Sequence, residues 1–214
     1  MSAAVLDLTG ELATFRLNEL ARLFAAELGR HLRLQLLDLA ANALGDGGVA
    51  ELLEAASQPG CCSHLRFLGL AKNDISDVGG QQIATWLERA TTPLQHLELR
   101  DNALGDAAAV SLAAALREHA TLQHVSLLHN AIGRSGARAL ARSLAQNRTL
   151  VTLDLRLNLL APGELHALFG EVPAEGHSPP AHLERAAAPS RRAIGKLAAL
   201  GPGAAGEGGG GGGS

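Results

Sequence analysis

The chain has 214 residues, is 47% hydrophobic and only 2% aromatic, and carries a formal net charge of −3. That length suits one domain of ordinary size, and a core must come from Leu, Ala, Val and Ile. A slightly acidic chain with almost no aromatics excludes the basic, base-stacking surface of a general nucleic-acid binder.

The start, MSAAVLDLTG, shows no basic segment leading into an apolar run, so no signal peptide is expected. No stretch of about 18 apolar residues is present, so no membrane span is expected. VLDL (Val5 to Leu8) reads as a degenerate strand, and Leu17, Leu20, Phe24 and Leu28 form a helical stripe. Residues 1–33 are therefore expected to be an N-terminal cap.

From residue 34 the chain repeats itself. Asn42, Asn73, Asn102, Asn130 and Asn158 stand 31, 29, 28 and 28 residues apart. Apolar residues precede each Asn by eight, five and three positions: Leu34, Leu37, Leu39; Leu65, Leu68, Leu70; Leu94, Leu97, Leu99; Leu122, Val125, Leu127; Leu150, Leu153, Leu155. Two residues after each Asn comes Leu44, Ile75, Leu104, Ile132 or Leu160. The alternating pair before each Asn predicts a short strand with its leucines inward. Beyond the turn the period becomes helical, as in Leu112 and Leu116 or Leu140 and Leu144. Gly48, Gly79 and Gly136 fall six residues after their Asn, where packing of the helix start against the strand is expected to leave no room for a side chain. Each Asn sits where the chain bends and is expected to bond backbone groups freed by the bend. Stacked copies would form a structural ladder.

The form LxxLxLxxNxL, followed by a helix with a period near 28, resembles the leucine-rich repeat family in its ribonuclease-inhibitor-like subtype. The resemblance covers about residues 34–170 and implies an α/β solenoid of about five repeats. Strands about 4.8 Å apart and helices about 8–10 Å apart force a curve. The expected form is a short curved horseshoe, parallel strands inside and helices outside, with the repeat domain at 34–171. Residues 172–214, rich in Ala, Gly and Pro, are expected to be a disordered tail. Within that tail Arg191, Arg192 and Lys196 beside Leu197 and Leu200 suggest a short basic helix as an alternative.

The variable letters between the leucines are expected to line the concave face. Counting from each Asn, they are Leu36, Phe67, His96, His124 and Thr152; Asp38, Gly69, Glu98, Ser126 and Asp154; and Ala40, Ala71, Arg100, Leu128 and Arg156. An apolar end beside a charged end suits a protein partner. The other reading is that the N-terminal segment covers the apolar end and the charges only solvate. Five strands offer about 400–600 Å² per partner, below the ~800 Å² of a standard interface.

Chemistry is sparse. His96 and His124 share a column, but no third ligand is fixed, so no metal is expected. Cys61 and Cys62 are adjacent, lack CxxC spacing and fit a reducing compartment. No phosphate loop or GxSxG elbow is present, so neither cofactor nor catalysis is expected. The sequon at Asn147 is expected to be unused. The expectation is thus a non-enzymatic scaffold or adaptor, monomeric alone or part of a larger complex, binding a protein but no nucleic acid, membrane or metal. Its expected setting is cytoplasmic. The resemblance also implies two alternatives: a GTPase-activator-like regulator, for which Arg100 and Arg156 would be candidates, and a subunit of a cytoskeletal or ciliary assembly.

Overall fold

The computed structural model describes residues 4–10, 34–58, 62–89, 92–161 and 163–170. The helical stripe at 17–28 and the tail from 172 lie outside the described residues. Six strands form one parallel sheet in chain order: β1 (Ala4–Asp7), β2 (Leu34–Asp38), β3 (Phe67–Gly69), β4 (His96–Glu98), β5 (His124–Ser126) and β6 (Thr152–Asp154). Five helices follow the last five strands: α1 (Gly45–Ala56), α2 (Asp77–Arg89), α3 (Asp106–Glu118), α4 (Arg134–Leu144) and α5 (Glu164–Gly170). The architecture is an α/β solenoid, one strand, one turn and one helix per unit.

Register follows the asparagine count. Phe67 pairs with His96, Leu68 with Leu97, and Gly69 with Glu98; the next interface pairs His96 with His124 and Glu98 with Ser126. Every inward leucine therefore stacks on its counterpart. Leu39, Leu70, Leu99 and Leu127 are fully enclosed, as are Ile75, Leu104 and Ile132 at the turn. Helices bury a stripe at spacing three and four, such as Ala108, Ala109, Leu112, Ala115 and Leu116 of α3. Trp86 of α2 belongs to this core.

The turn is held by asparagine. Asn102 Nδ2 donates to Leu70 O, Leu99 O and Arg100 O, and its Oδ1 accepts from Asn73 N and Ile75 N. Asn73 repeats this toward unit one, accepting from Asn42 N and Leu44 N and donating to Leu39 O. Asn158 closes the series, donating to Leu127 O and accepting from Ile132 N. Before every Asn the chain turns left-handed at a residue that is not glycine: Ala41, Lys72, Asp101, His129 and Leu157, with φ between 54° and 59°. The N–H of the first four donates to the next unit, as from Asp101 to Leu128 O, so the ladder overdetermines this conformation.

The glycines pack differently from the expectation. A Cβ on Gly79 would meet Asp46 Oδ1 and Ile75 Cγ2 at 2.5 Å, and one on Gly136 would meet Ala109 Cβ at 2.7 Å. The crowding comes from the preceding unit's helix and from the turn, not from the strand. Helices are wider than strands, so the convex side is where units compete for space.

A second ladder runs there, and it was missed in the sequence. Asp46, Asp77 and Asp106 stand four residues after their asparagines, and each caps the following unit's helix. Asp77 Oδ1 accepts from Gly105 N (2.7 Å) and Ala108 N (2.9 Å). Asp46 accepts from Ser76 N, Ser76 Oγ and Gly79 N, and Asp106 from Gly133 N, Ser135 Oγ and Gly136 N. Burial works against ionisation of Asp46, yet the Ser76 hydroxyl and the two N–H donors outweigh it and hold its carboxyl below the usual range. Ser135 is the chief cause of the same lowering at Asp106. The signal was a bare Asp at fixed spacing. The fourth unit has Arg134 instead, facing Glu164 at 3.9 Å.

Candidate functional site: the concave face

Each short strand turns its middle residue inward and its two flanking residues to the concave side, because side chains alternate. Two columns result, and the register fixes their neighbours. In the first, Phe67, His96 and His124 make a continuous aromatic run. The Phe67 and His96 rings are 6.2 Å apart, and those of His96 and His124 stack at 4.3 Å with planes 17° apart. His124 Nδ1 pairs with Thr152 Oγ1 at 2.7 Å. Burial, with the neighbouring His96 as a lesser cause, lowers the His124 pKa and favours the neutral ring. Nearly parallel rings aim their lone pairs side by side, which does not suit two ligands converging on one ion. Among the described residues no group of three or more metal-ligating side chains assembles.

The second column reads Asp38, Gly69, Glu98, Ser126, Asp154. Burial raises the Glu98 pKa most. Asp154 and Asp38 add to it, while the Ser126 hydroxyl and Arg100 pull the other way. Asp154 is held by Arg156, whose Nε lies 2.9 and 3.1 Å from the two carboxylate oxygens and whose Nη2 lies 2.5 Å from Oδ2. At the rim, Asp101 Oδ1 meets His129 Nδ1 at 2.6 Å; that bond is the main reason the Asp101 carboxyl sits below its usual range.

The structure places Leu36, Asp38, Phe67, His96, Glu98, His124, Ser126, Asp154 and Arg156 half-buried on this face, with Arg100 exposed. Two expected surface positions are corrected. Ala71 is 3% exposed and Gly69 is buried. The ring of Phe67 and the carboxylate of Asp38 lie over Gly69, and a short side chain at 71 sinks beneath its neighbours. The apolar end is thus narrower than four residues: Leu36 and Phe67 form it, with Ala40 at its edge. Asn147 of the sequon is buried, donating to Leu116 O and accepting from Leu150 N, so its amide caps a loop. His119 does the same one unit earlier, accepting from Thr121 N and Leu122 N. Cys62 is buried.

Away from this face, an open groove of about 410 Å³ lies between α1 and α2, lined by Leu53, Val78 and Trp86 among others. Among the described residues no helix is long and apolar enough to cross a membrane.

Comparison with known proteins agrees with this architecture. A family profile described as Leucine Rich repeat matches residues 61–84, 91–113 and 118–141. Pig (Sus scrofa) ribonuclease inhibitor is 37% identical over 82 residues, which is 38% of this chain and 17% of that protein. Cattle (Bos taurus) Tonsoku-like protein is 42% identical over 90 residues, 41% of this chain and 6% of that protein. The chain therefore spans under a fifth of the length of these curated relatives. Among solved structures, leiomodin-1 actin-binding site 2 superposes with a TM-score of 0.60 at 14% identity, covering 87% of this chain and 98% of that one. The tropomodulin C-terminal domain of Caenorhabditis elegans gives 0.58 at 16%, covering 86% and 99%. Residues 61–141 thus carry leucine-rich repeats of the ribonuclease-inhibitor-like type.

Proposed function

We propose that the chain is a non-enzymatic interaction scaffold that docks a protein partner on its concave face. The observation that carries this is the columnar arrangement of Phe67, His96 and His124 beside Glu98, Arg100, Asp154 and Arg156. Aromatic rings and charged forks are displayed on a sheet that the asparagine ladder keeps rigid, and such preorganised anchors are what interfaces use. The face is small against a standard interface, so the reading favours a partner that also touches a rim, or one member of a larger assembly. On this reading the repeat units from residue 34 onward form the binding domain.

The test is affinity capture from cell extract with mass spectrometry, comparing wild type with a His96→Ala/Arg100→Glu double variant of unchanged melting temperature. A protein held by wild type and lost by the variant supports the concave face. Equal capture by both refutes it.

A second reading is a cytoskeletal subunit. It draws on leiomodin-1, whose structure is titled an actin-binding site; the likeness is one of fold. Co-sedimentation with filamentous actin decides it, and a chain that stays in the supernatant ends it. For the GTPase-regulator alternative, Arg156 is engaged by Asp154, which leaves Arg100 as its candidate. Unchanged GTP hydrolysis across a panel of small GTPases would dismiss it.

A further inference from the structure

The acidic column is balanced in two units and unbalanced in another. Two residues after Glu98 stands Arg100, and two after Asp154 stands Arg156, which forks onto Asp154. Two after Asp38 stands Ala40, and the neighbouring unit offers Ala71. Asp38 accepts one bond, from Ala40 N at 3.1 Å, and no described cation pairs with it. In the register of the sheet Asp7 aligns with Asp38, so among the described residues the column is continued on that side by another acidic position.

Gly69 lets this carboxylate reach across. A Cβ there would stand 2.3 Å from Asp38 Oδ1 and 3.1 Å from Phe67 Cε1. Asp38 therefore leans over the next strand toward Glu98, and its charge is one of those that oppose ionisation of Glu98, after burial and beside Asp154. Arg100, which also acts on Asp101, is the cation that acts on Glu98. Asp38 and Glu98 thus stand in one column with only Gly69 between them, beside an aromatic ring, and the Asp38 side lacks the arginine that the Glu98 and Asp154 units carry.

We propose that this place, between Asp38 and Glu98 with Phe67 as its wall, Ala71 as its floor and Ala40 as its open side, receives an arginine side chain from the partner protein. The inference rests on the concave-face reading and names the chemistry of its occupant. Arginine fits better than lysine. Its planar fork can bond two carboxylates at once and lie against the Phe67 ring, while an ammonium is a single point. Arg156 on Asp154 is the internal template for the contact with one carboxylate. A divalent cation is disfavoured, because two carboxylates without a third fixed ligand make a poor cage.

The experiment needs no natural partner. Amide NMR spectra of the full chain are followed during titration with acetyl-Gly-Arg-Gly-amide, and with its lysine and citrulline counterparts. The arginine peptide should shift the amides of Asp38, Gly69, Ala71 and Glu98 and saturate, while citrulline should not. Asp38→Asn keeps the bond from Ala40 N and should weaken binding about tenfold, the worth of one charge-assisted pair. Ala40→Arg supplies the cation in cis and should abolish binding. Equal shifts with citrulline, equal affinity for lysine, shifts centred on Asp154, or full binding by Asp38→Asn would each overturn the proposal. These outcomes stand apart from the capture experiment: loss here with capture intact refutes the arginine site alone.

Discussion

Asn102 takes part in five hydrogen bonds across two units, and no other side chain of its size offers both an acceptor and two donors in that plane. Asn102→Leu would strand two backbone N–H groups and three carbonyls. At about 1–3 kcal/mol for each group left buried and unpaired, and with these groups only part-buried and so partly open to water, the loss should reach about 3–5 kcal/mol, a large part of a domain's ~5–15 kcal/mol. Urea denaturation measures it, and a loss under about 1 kcal/mol would mean water substitutes for the amide. Ala41 tests the residue before the ladder. Its left-handed backbone costs about 1–2 kcal/mol for an L side chain, whereas glycine gives back about 0.5–1 kcal/mol in chain entropy. Ala41→Gly should therefore raise the urea midpoint slightly, and a fall would show that the turn is less strained than its φ of 59° implies. The asparagines stood out in the sequence because their spacing repeats. The left-handed residues did not, because Ala, Lys, Asp, His and Leu share no side-chain property; the strain is set by the ladder, not by the residue that bears it.

At the scale of elements, helices meet through their smallest residues. Gly80 of α2 faces Ala108 of α3, and a Cβ on it would lie 2.5 Å from the Ala108 Cβ. Gly→Ala inside a helix ordinarily gains up to about 1 kcal/mol. Here overpacking against a fixed methyl costs about 1–3 kcal/mol and wins, so Gly80→Ala should destabilise. A more stable variant would show that the helices can part. The aspartate ladder adds a pH dependence. Asp46 and Asp106 have carboxyl groups held below their unfolded value, so the stability they contribute is full above about pH 5 and is lost as pH falls below about 4. The melting temperature should drop over that acid range, and Asp106→Asn should flatten the drop. An unaltered profile would assign the acid sensitivity to other groups. Helix positions were legible from apolar period alone. The cap ladder was not, because an Asp early in a helix normally reads as its own first-turn charge, and only the stacked structure shows it serving the next unit.

At the scale of the molecule, each strand touches the strand of the next unit and each helix the next helix, and the sheet runs in chain order. Such a stack has an interior and two ends. The C-terminal end is the looser one among the described units: β6 is only half-buried, and Leu157 and Leu159 are 72% and 71% exposed. Hydrogen exchange should accordingly be slowest at the amides of Leu70 and Leu99, which bond into the sheet on the neighbouring unit, and several-fold faster in β6. Uniform exchange would indicate a single cooperative block. The columns of the concave face were readable in advance, since one asparagine count fixes every register. What lay beyond the sequence was which side chains lean: Asp38 over Gly69, His96 onto His124, Arg156 back to Asp154.

The ladder also gives the protein a mechanical direction. Each asparagine holds the segment before it, down to Asn42 on Leu8 O, so a pull on the C-terminus loads one set of bonds at a time. Detaching the last turn removes Asn158 from Ile132 and Leu127, and the next turn then becomes the last. Under tension the solenoid should behave as a ratchet that lengthens in discrete steps, each releasing one repeat of 28 to 31 residues, or roughly 100 Å of extended chain.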